Sequence, residues 1–276
     1  MYFAVAGGAL YWACRRPRFL RARAIGVVIA LALLGFVPGN YILRAVEQRH
    51  PRVEFEKYRE AAWAHFRKRC KENAGEKIFN VVPNVKGIFL DKPRRRPRQS
   101  DLRNRNWKGD PYGLDYYGDA EIVTYLYRLN EKGVPTTGPG VGDSYDFVET
   151  RDPNSYLFMR FVRSGKDRIS SELVKTRSSR YEITWEDISS AEDRKYWIAG
   201  GKLRVIDGAT NAVLGQRIGY LIDPGFGSTS GARVPWLHAR LHASESTCPP
   251  VQPNAATNRL FVEKVLIPSG DTNRGK

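Results

Sequence analysis

The chain has 276 residues, of which 42% are hydrophobic and 12% aromatic, enough for a packed core and too apolar for wholesale disorder. Its net charge of +16 and pI near 9.9 predict attraction to anions: lipid headgroups, acidic proteins or nucleic acid. Which of these it meets depends on the side of a membrane on which it works.

The first apolar stretch, residues 1–14 (MYFAVAGGALYWAC), is short for a spanning helix. It reads as an interfacial segment, a short first span, or a product of start-codon choice. Residues 24–43 (AIGVVIALALLGFVPGNYIL) carry no charge and lie between Arg23 and Arg44. A helix of that length rises about 30 Å, the thickness of a bilayer's hydrocarbon core. A transmembrane helix is therefore predicted. Five arginines crowd Arg15–Arg23, whereas Arg44–Arg52 holds three. The positive-inside rule keeps residues 1–23 in the cytoplasm and exports the large domain. Tyr11-Trp12-Ala13 before Cys14 is a poor lipidation signal, and Pro38 disfavours cleavage near Val37-Pro38-Gly39. An uncleaved anchor is expected, with a cleaved signal as the alternative.

Beyond the anchor lie two cysteines, Cys70 and Cys248. In an oxidising compartment such a pair is most simply a disulfide; two buried thiols are the other reading. Neither sits in a C-x-x-C metal spacing.

Residues 54–73 predict an amphipathic helix, with Phe55, Tyr58, Ala62, Phe66 and Cys70 on one face. Val85–Leu90 reads as a first strand. Residues 91–113 are strongly basic, and the prolines among them forbid a regular helix. Arg94, Arg95, Arg96, Arg98, Arg103, Arg105, Trp107, Lys108 and Tyr112 are the candidate partner-binding residues of this predicted loop. Trp107, Tyr112, Tyr116 and Tyr117 have the composition of an interface hot spot, or else belong to the core. In the cytosol such a run would suggest nucleic acid; outside the membrane that partner is not expected. An acidic protein or anionic lipid is the alternative to a merely solvated loop.

Strands are predicted at Ile122–Leu129, Tyr145–Thr150, Tyr156–Arg163 and Tyr181–Trp185, rich in β-branched and aromatic residues. Residues 133–142 (GVPTTGPGVG) read as a long loop. Residues 202–222 predict a hairpin turning at Gly208–Asn211, with Leu214, Ile218, Tyr220 and Ile222 on one face. Leu260–Ile267 reads as a last strand, and 269–276 as a disordered tail. The expected class is α+β: an amphipathic helix packed on a β-dominated, mostly antiparallel domain.

No catalytic constellation stands out. His238 and His242 have the i, i+4 spacing of a zinc motif, but Ala239 replaces its glutamate. No G-x-S-x-G elbow occurs, and His65 is poorly placed to activate Cys70. Asp115 with Asp119, and Glu186 with Asp187, are ordinary loop carboxylates. The glycine-rich stretches 138–142 and 225–231 lack the Lys-Ser/Thr of a phosphate loop. A non-enzymatic protein without a cofactor or metal is expected.

Three stretches together carry a resemblance: RCKENAGEKIFNVVPNVKGIFL at 69–90, GGKLRVIDGATNAVLGQRIGYLIDPGFGS at 200–228, and CPPV followed by NRLFVEKVLIPS at 248–269. They resemble proteobacterial membrane-anchored or lipoprotein-like envelope proteins similar to immunity proteins against type VI secretion lipase effectors. This chain departs from the lipoprotein members in using an apolar span instead of a lipidated cysteine. The resemblance implies an inner-membrane protein, anchored through 24–43, with residues 44–268 in the periplasm. It implies a secreted lipase effector as partner, blocked by direct binding. An envelope adaptor for another protein or anionic headgroups is the alternative.

Overall fold

The computed structural model describes residues 52–113, 116–129, 135–136, 144–165, 168–251 and 256–269. The spanning helix expected at 24–43, the stretch 1–14, most of 133–142 and the tail beyond Ser269 lie outside the described residues. Among the described residues no helix is long and apolar enough to cross a membrane. The chain divides into two compact units, Met1–Ala61 and Ala62–Lys276. Of the first, residues 52–61 are described and are helical.

The second unit is an α+β fold on a mostly antiparallel sheet. Its strands are β1 (Gly75–Ile78), β2 (Val82–Val85), β3 (Gly87–Leu90), β4 (Arg128–Leu129), β5 (Pro135–Thr136), β6 (Phe147–Arg151) and β7 (Phe158–Arg163). Then follow β8 (Ile169–Val174), β9 (Tyr181–Asp187), β10 (Ile198–Asp207), β11 (Ala212–Ile222), β12 (Thr247–Cys248) and β13 (Leu266–Pro268). The main sheet runs β1–β11–β10–β9–β3–β6–β7–β8, with β12 also paired to β11. Two short pairs, β2–β13 and β4–β5, stand apart from it. Only β3 breaks the antiparallel rule in the main sheet, pairing in parallel with both β6 and β9. All four residues of β3 are buried, as a strand covered on both faces requires.

Helix α1 covers 52–73. The predicted face holds from Ala62 onward: Ala62 and Phe66 are buried against Ile198, Tyr220 and Ile222. Phe55, by contrast, is half exposed. On the opposite sheet face, Leu203 and Val205 pack under α3 (Asp119–Leu126) and α7 (Thr257–Val265). Side chains of a strand alternate between faces, so β10 supplies both cores at once.

Four expectations are corrected. The Ile122–Leu129 segment is helix α3 followed by the short β4, because Ile122, Tyr125 and Leu126 bury at helical spacing despite their β-prone composition. The Leu260–Ile267 segment is likewise mostly helical: α7 buries Phe261, Val262 and Val265, and only Leu266–Pro268 is extended. The predicted hairpin forms, but a bulge after Val205 pairs Gly215 and Val213 with successive residues of β10. Leu214 is thereby turned off the face of Ile218, Tyr220 and Ile222 and enters the core of Leu203 and Val205. Finally, residues 91–113 are not a free loop; they are packed onto the sheet.

Candidate interaction surface

Segment 91–113 is pinned along its length. Thr184 Oγ1 donates to Asp91 (3.1 Å), and Trp185 Nε1 donates to the Lys92 carbonyl (2.7 Å). Arg94 then turns inward and is 3% exposed. Its guanidinium donates to Asp110 Oδ2 at 2.8 Å and to Glu121 Oε1 at 2.7 Å, while its own backbone N–H donates to Glu121 Oε2 at 2.7 Å. Burial alone would lower the Arg94 pKa, but Glu121 and Asp110 outweigh it and hold the charge on. One cation serves two buried carboxylates, and burial pushes Glu121 above the ordinary carboxylate range despite Arg94.

Further along, Trp107 and Tyr112 pack with Ala199, Leu221, Trp236 and Ala239. Trp236, on α5 (Pro235–Leu241), donates its Nε1–H to the Asn104 carbonyl at 2.9 Å. Asp110 and Tyr112 fit because the sheet is hollow beneath them. A Cβ on Gly201 would lie 2.2 Å from Asp110, and one on Gly219 would lie 1.8 Å from Tyr112. Gly201 and Gly219 are paired across β10 and β11. Glycines inside a strand mark a place where something else approaches closely.

The nine predicted partner-binding residues therefore separate. Arg94, Trp107 and Tyr112 are buried and serve as anchors, which corrects their reading as contact residues. Arg95, Arg96, Arg98, Arg103, Arg105 and Lys108 are exposed. Arg95 reaches Asp101 at 3.1 Å, and Arg96 lies over Tyr117, its guanidinium 5.7 Å from the ring centre. Arg98 is the N-cap of helix α2 (Gln99–Arg103) and Arg103 its last residue; with Arg95 they are exposed cations of this stretch. Tyr116 and Tyr117 are half-buried.

Arg105 and Lys108 face elsewhere. They line a groove of about 380 Å3 together with the turn after β9 and helix α4 (Ala191–Lys195). Arg194 crosses its wall, donating to Asp187 at 2.6 Å and to the Arg105 carbonyl at 3.2 Å. Asp193, beneath, is fully buried and takes His65 at 2.7 Å and Arg69 at 3.2 Å.

The predicted cysteine pair is a disulfide, Cys70–Cys248, with Cα atoms 5.7 Å apart. It ties the end of α1 to β12, and β12 in turn pairs with β11. His238 is half-buried on α5 and His242 exposed at its end; among the described residues no three metal-ligating side chains come together.

Glu149 was not singled out by the sequence. It is fully buried and accepts from both the N–H and the hydroxyl of Ser178 and Ser179, and from Arg160 at 2.9 Å. A partner 29–30 residues away leaves no local mark. The glycines at 201 and 219, in contrast, were a readable sign of the docked segment.

Comparison of the chain with protein-family models, curated proteins and solved structures returned no match.

Proposed function

We propose that the chain is a membrane-anchored binding protein of the bacterial envelope, held by residues 24–43, that neutralises a type VI secretion phospholipase or lipase effector by direct contact. It acts in the periplasm, without a catalytic step and without nucleic acid. The observation that carries this reading is exposed charge on an anchored segment: Arg95, Arg98 and Arg103 are exposed, while Arg94, Trp107 and Tyr112 of the same segment are buried. Charges held in place lose little conformational freedom on binding, and an acidic partner would be steered to them. The disulfide suits an oxidising compartment. The partner class rests on the resemblance of the three stretches that bear Cys70, the 198–222 hairpin and Cys248.

The test is co-expression with a periplasm-targeted lipase encoded beside this gene. The full chain should co-purify with the lipase and restore growth. Arg95→Glu/Arg98→Glu/Arg103→Glu should abolish protection, with an unchanged melting temperature. Loss of affinity with added salt should be steep in the natural chain and shallow in the variant. Absence of both complex and protection would reject the proposal.

A further inference from the structure

The stretch that leads from β1 into β2 leaves large apolar side chains in water. Ile78 is 42% exposed, Phe79 60% and Val81 45%, and Ile267 of β13 is 44% exposed. Chain connection and strand pairing bring them together. Phe79 and Asn80 both donate their N–H to the Leu214 carbonyl, at 2.8 and 3.0 Å. Val81 then enters the ribbon in which β2 pairs with β13. Val82, Val85 and Leu266 of that ribbon turn inward onto the core, while Val81, Pro83 and Ile267 stay outside. Ser269 N–H donates to the Val85 carbonyl at 3.1 Å, which closes the far end. Apolar side chains scattered singly are ordinary on a surface, but a group of them marks a contact site.

The charge around this patch is positive. Lys77 and Lys86 are exposed, and neither forms an ion pair among the described residues. Glu76 is taken up by Lys264 at 2.7 Å and by Arg217 at 3.4 Å. Asp146, whose N–H donates to the Lys86 carbonyl at 2.7 Å, is a second carboxylate beside the ribbon. Four cations against two carboxylates leave the rim basic.

We propose that this patch rests on an anionic bilayer surface, with Phe79, Val81 and Ile267 at the acyl boundary and Lys77 and Lys86 among the headgroups. Apolar burial supplies one part of the attraction, and each lysine near an anionic surface adds to it. A second copy of this chain is a poor occupant, because its own Lys77 and Lys86 would be brought against these. A protein partner fits less well, since stable protein interfaces use about 20–30 residues a side, many more than this patch presents. Residues 270–276 (GDTNRGK), which follow Ser269, hold no large apolar side chain to cover it. The proposal needs neither the lipase reading nor an anchor at 24–43.

The experiment uses the full chain carrying Cys14→Ser and Val81→Cys, with a nitroxide attached at position 81; Cys70 and Cys248 are held in their disulfide. Vesicles of phosphatidylcholine, with or without phosphatidylglycerol, are added. Collision of the nitroxide with a water-soluble nickel chelate reads contact with the bilayer, whether or not residues 24–43 insert. Collision should fall several-fold with phosphatidylglycerol present, far less with phosphatidylcholine alone, and recover in part with added salt. Phe79→Glu/Ile267→Glu should lose the shielding with an unchanged melting temperature, because both side chains already face water. Lys77→Gln/Lys86→Gln should lose the preference for phosphatidylglycerol. A nitroxide placed instead by Tyr156→Cys, on the turn after β6 where the side chain is fully exposed, should stay in water. No shielding at Val81, equal shielding by both lipids, or equal shielding at Tyr156 overturns the proposal. Shielding that grows with protein concentration in lipid-free detergent assigns the patch to a second copy and also overturns it.

Discussion

Gly201 stands opposite Gly219 on neighbouring strands, and the hollow between them is filled by Asp110 and Tyr112. Two missing side chains on the sheet thus decide where a segment some hundred residues earlier can lie. Through Asp110 the hollow also fixes Arg94, and through Arg94 it fixes α3, whose Glu121 completes the buried cluster. The exposed cations of residues 95–108 inherit their positions from this seating.

Gly219→Val should therefore unseat Tyr112. Its Cβ would overlap an aromatic ring held in a packed cluster, with Arg217 stacked at 5.0 Å and Arg240 bonded to the Tyr112 carbonyl at 3.2 Å. Overpacking of this kind costs about 1–3 kcal/mol. A lowered urea midpoint, with Trp107 fluorescence shifted to the red, is the expected result. An unchanged midpoint and spectrum would mean that Tyr112 has another place to go.

Arg94→Met should be costlier than Glu121→Gln. Removing Arg94 leaves Asp110 and Glu121 buried with no cation between them, a loss of about 3–5 kcal/mol. Glu121→Gln leaves the Arg94–Asp110 pair intact and keeps an acceptor for the Arg94 backbone N–H. Denaturant titration of both variants gives the order; equal losses would show that the triad acts as two unconnected pairs.

What was legible in the chain follows from range. Cys70 and Cys248 were readable because two cysteines beyond residue 43 leave one partner each. The 198–222 hairpin was readable because its side chains alternate and its turn is polar. The ends of α3 and α7 were not, since Ile122, Tyr125, Phe261 and Val262 are strand formers whose helical spacing shows only once both sides of the sheet are known. Within the run Arg94, Arg95 and Arg96, nothing local distinguishes the first. Its burial is decided by Asp110 and Glu121, 16 and 27 residues away. Gly201 and Gly219 are the local sign of the docked segment, because a glycine inside a strand marks a close approach from outside it.

Two buried glutamates predict opposite responses to pH. For Glu149, burial alone would raise the pKa, but bonds from Ser179, Arg160 and Ser178 outweigh it and draw it below the ordinary 4.5. Its contribution is thus present above that value and lost as pH falls through the folded pKa. Asp207, drawn to about 2 chiefly by the Arg180 hydrogen bond, acts in the same direction at lower pH. Glu121 is raised by burial, so its contribution is present below 4.5 and lost as pH rises through its folded pKa. Urea midpoints followed from about pH 3 to about pH 7 should show Glu149→Gln flattening the acid side of the profile. Glu121→Gln should remove a decline on the side above 4.5. Parallel profiles for the two variants would contradict the assignment.

Cys70→Ser/Cys248→Ser should lower stability without undoing the packing of α1. The crosslink closes a separation of 178 residues, so the unfolded chain gains much freedom when it is absent. A loss of about 2–5 kcal/mol is expected, and reductant should reproduce it in the natural chain but not in the variant. Ala62 and Phe66 are buried against Tyr220 and Ile222 by contacts that do not involve the sulfurs. Amide exchange along 62–73 should therefore stay protected relative to the new global stability. If that segment alone loses protection while the sheet keeps its own, the disulfide and not the apolar face is what seats the helix. Cytosolic expression, where thiols stay reduced, should yield the destabilised form directly.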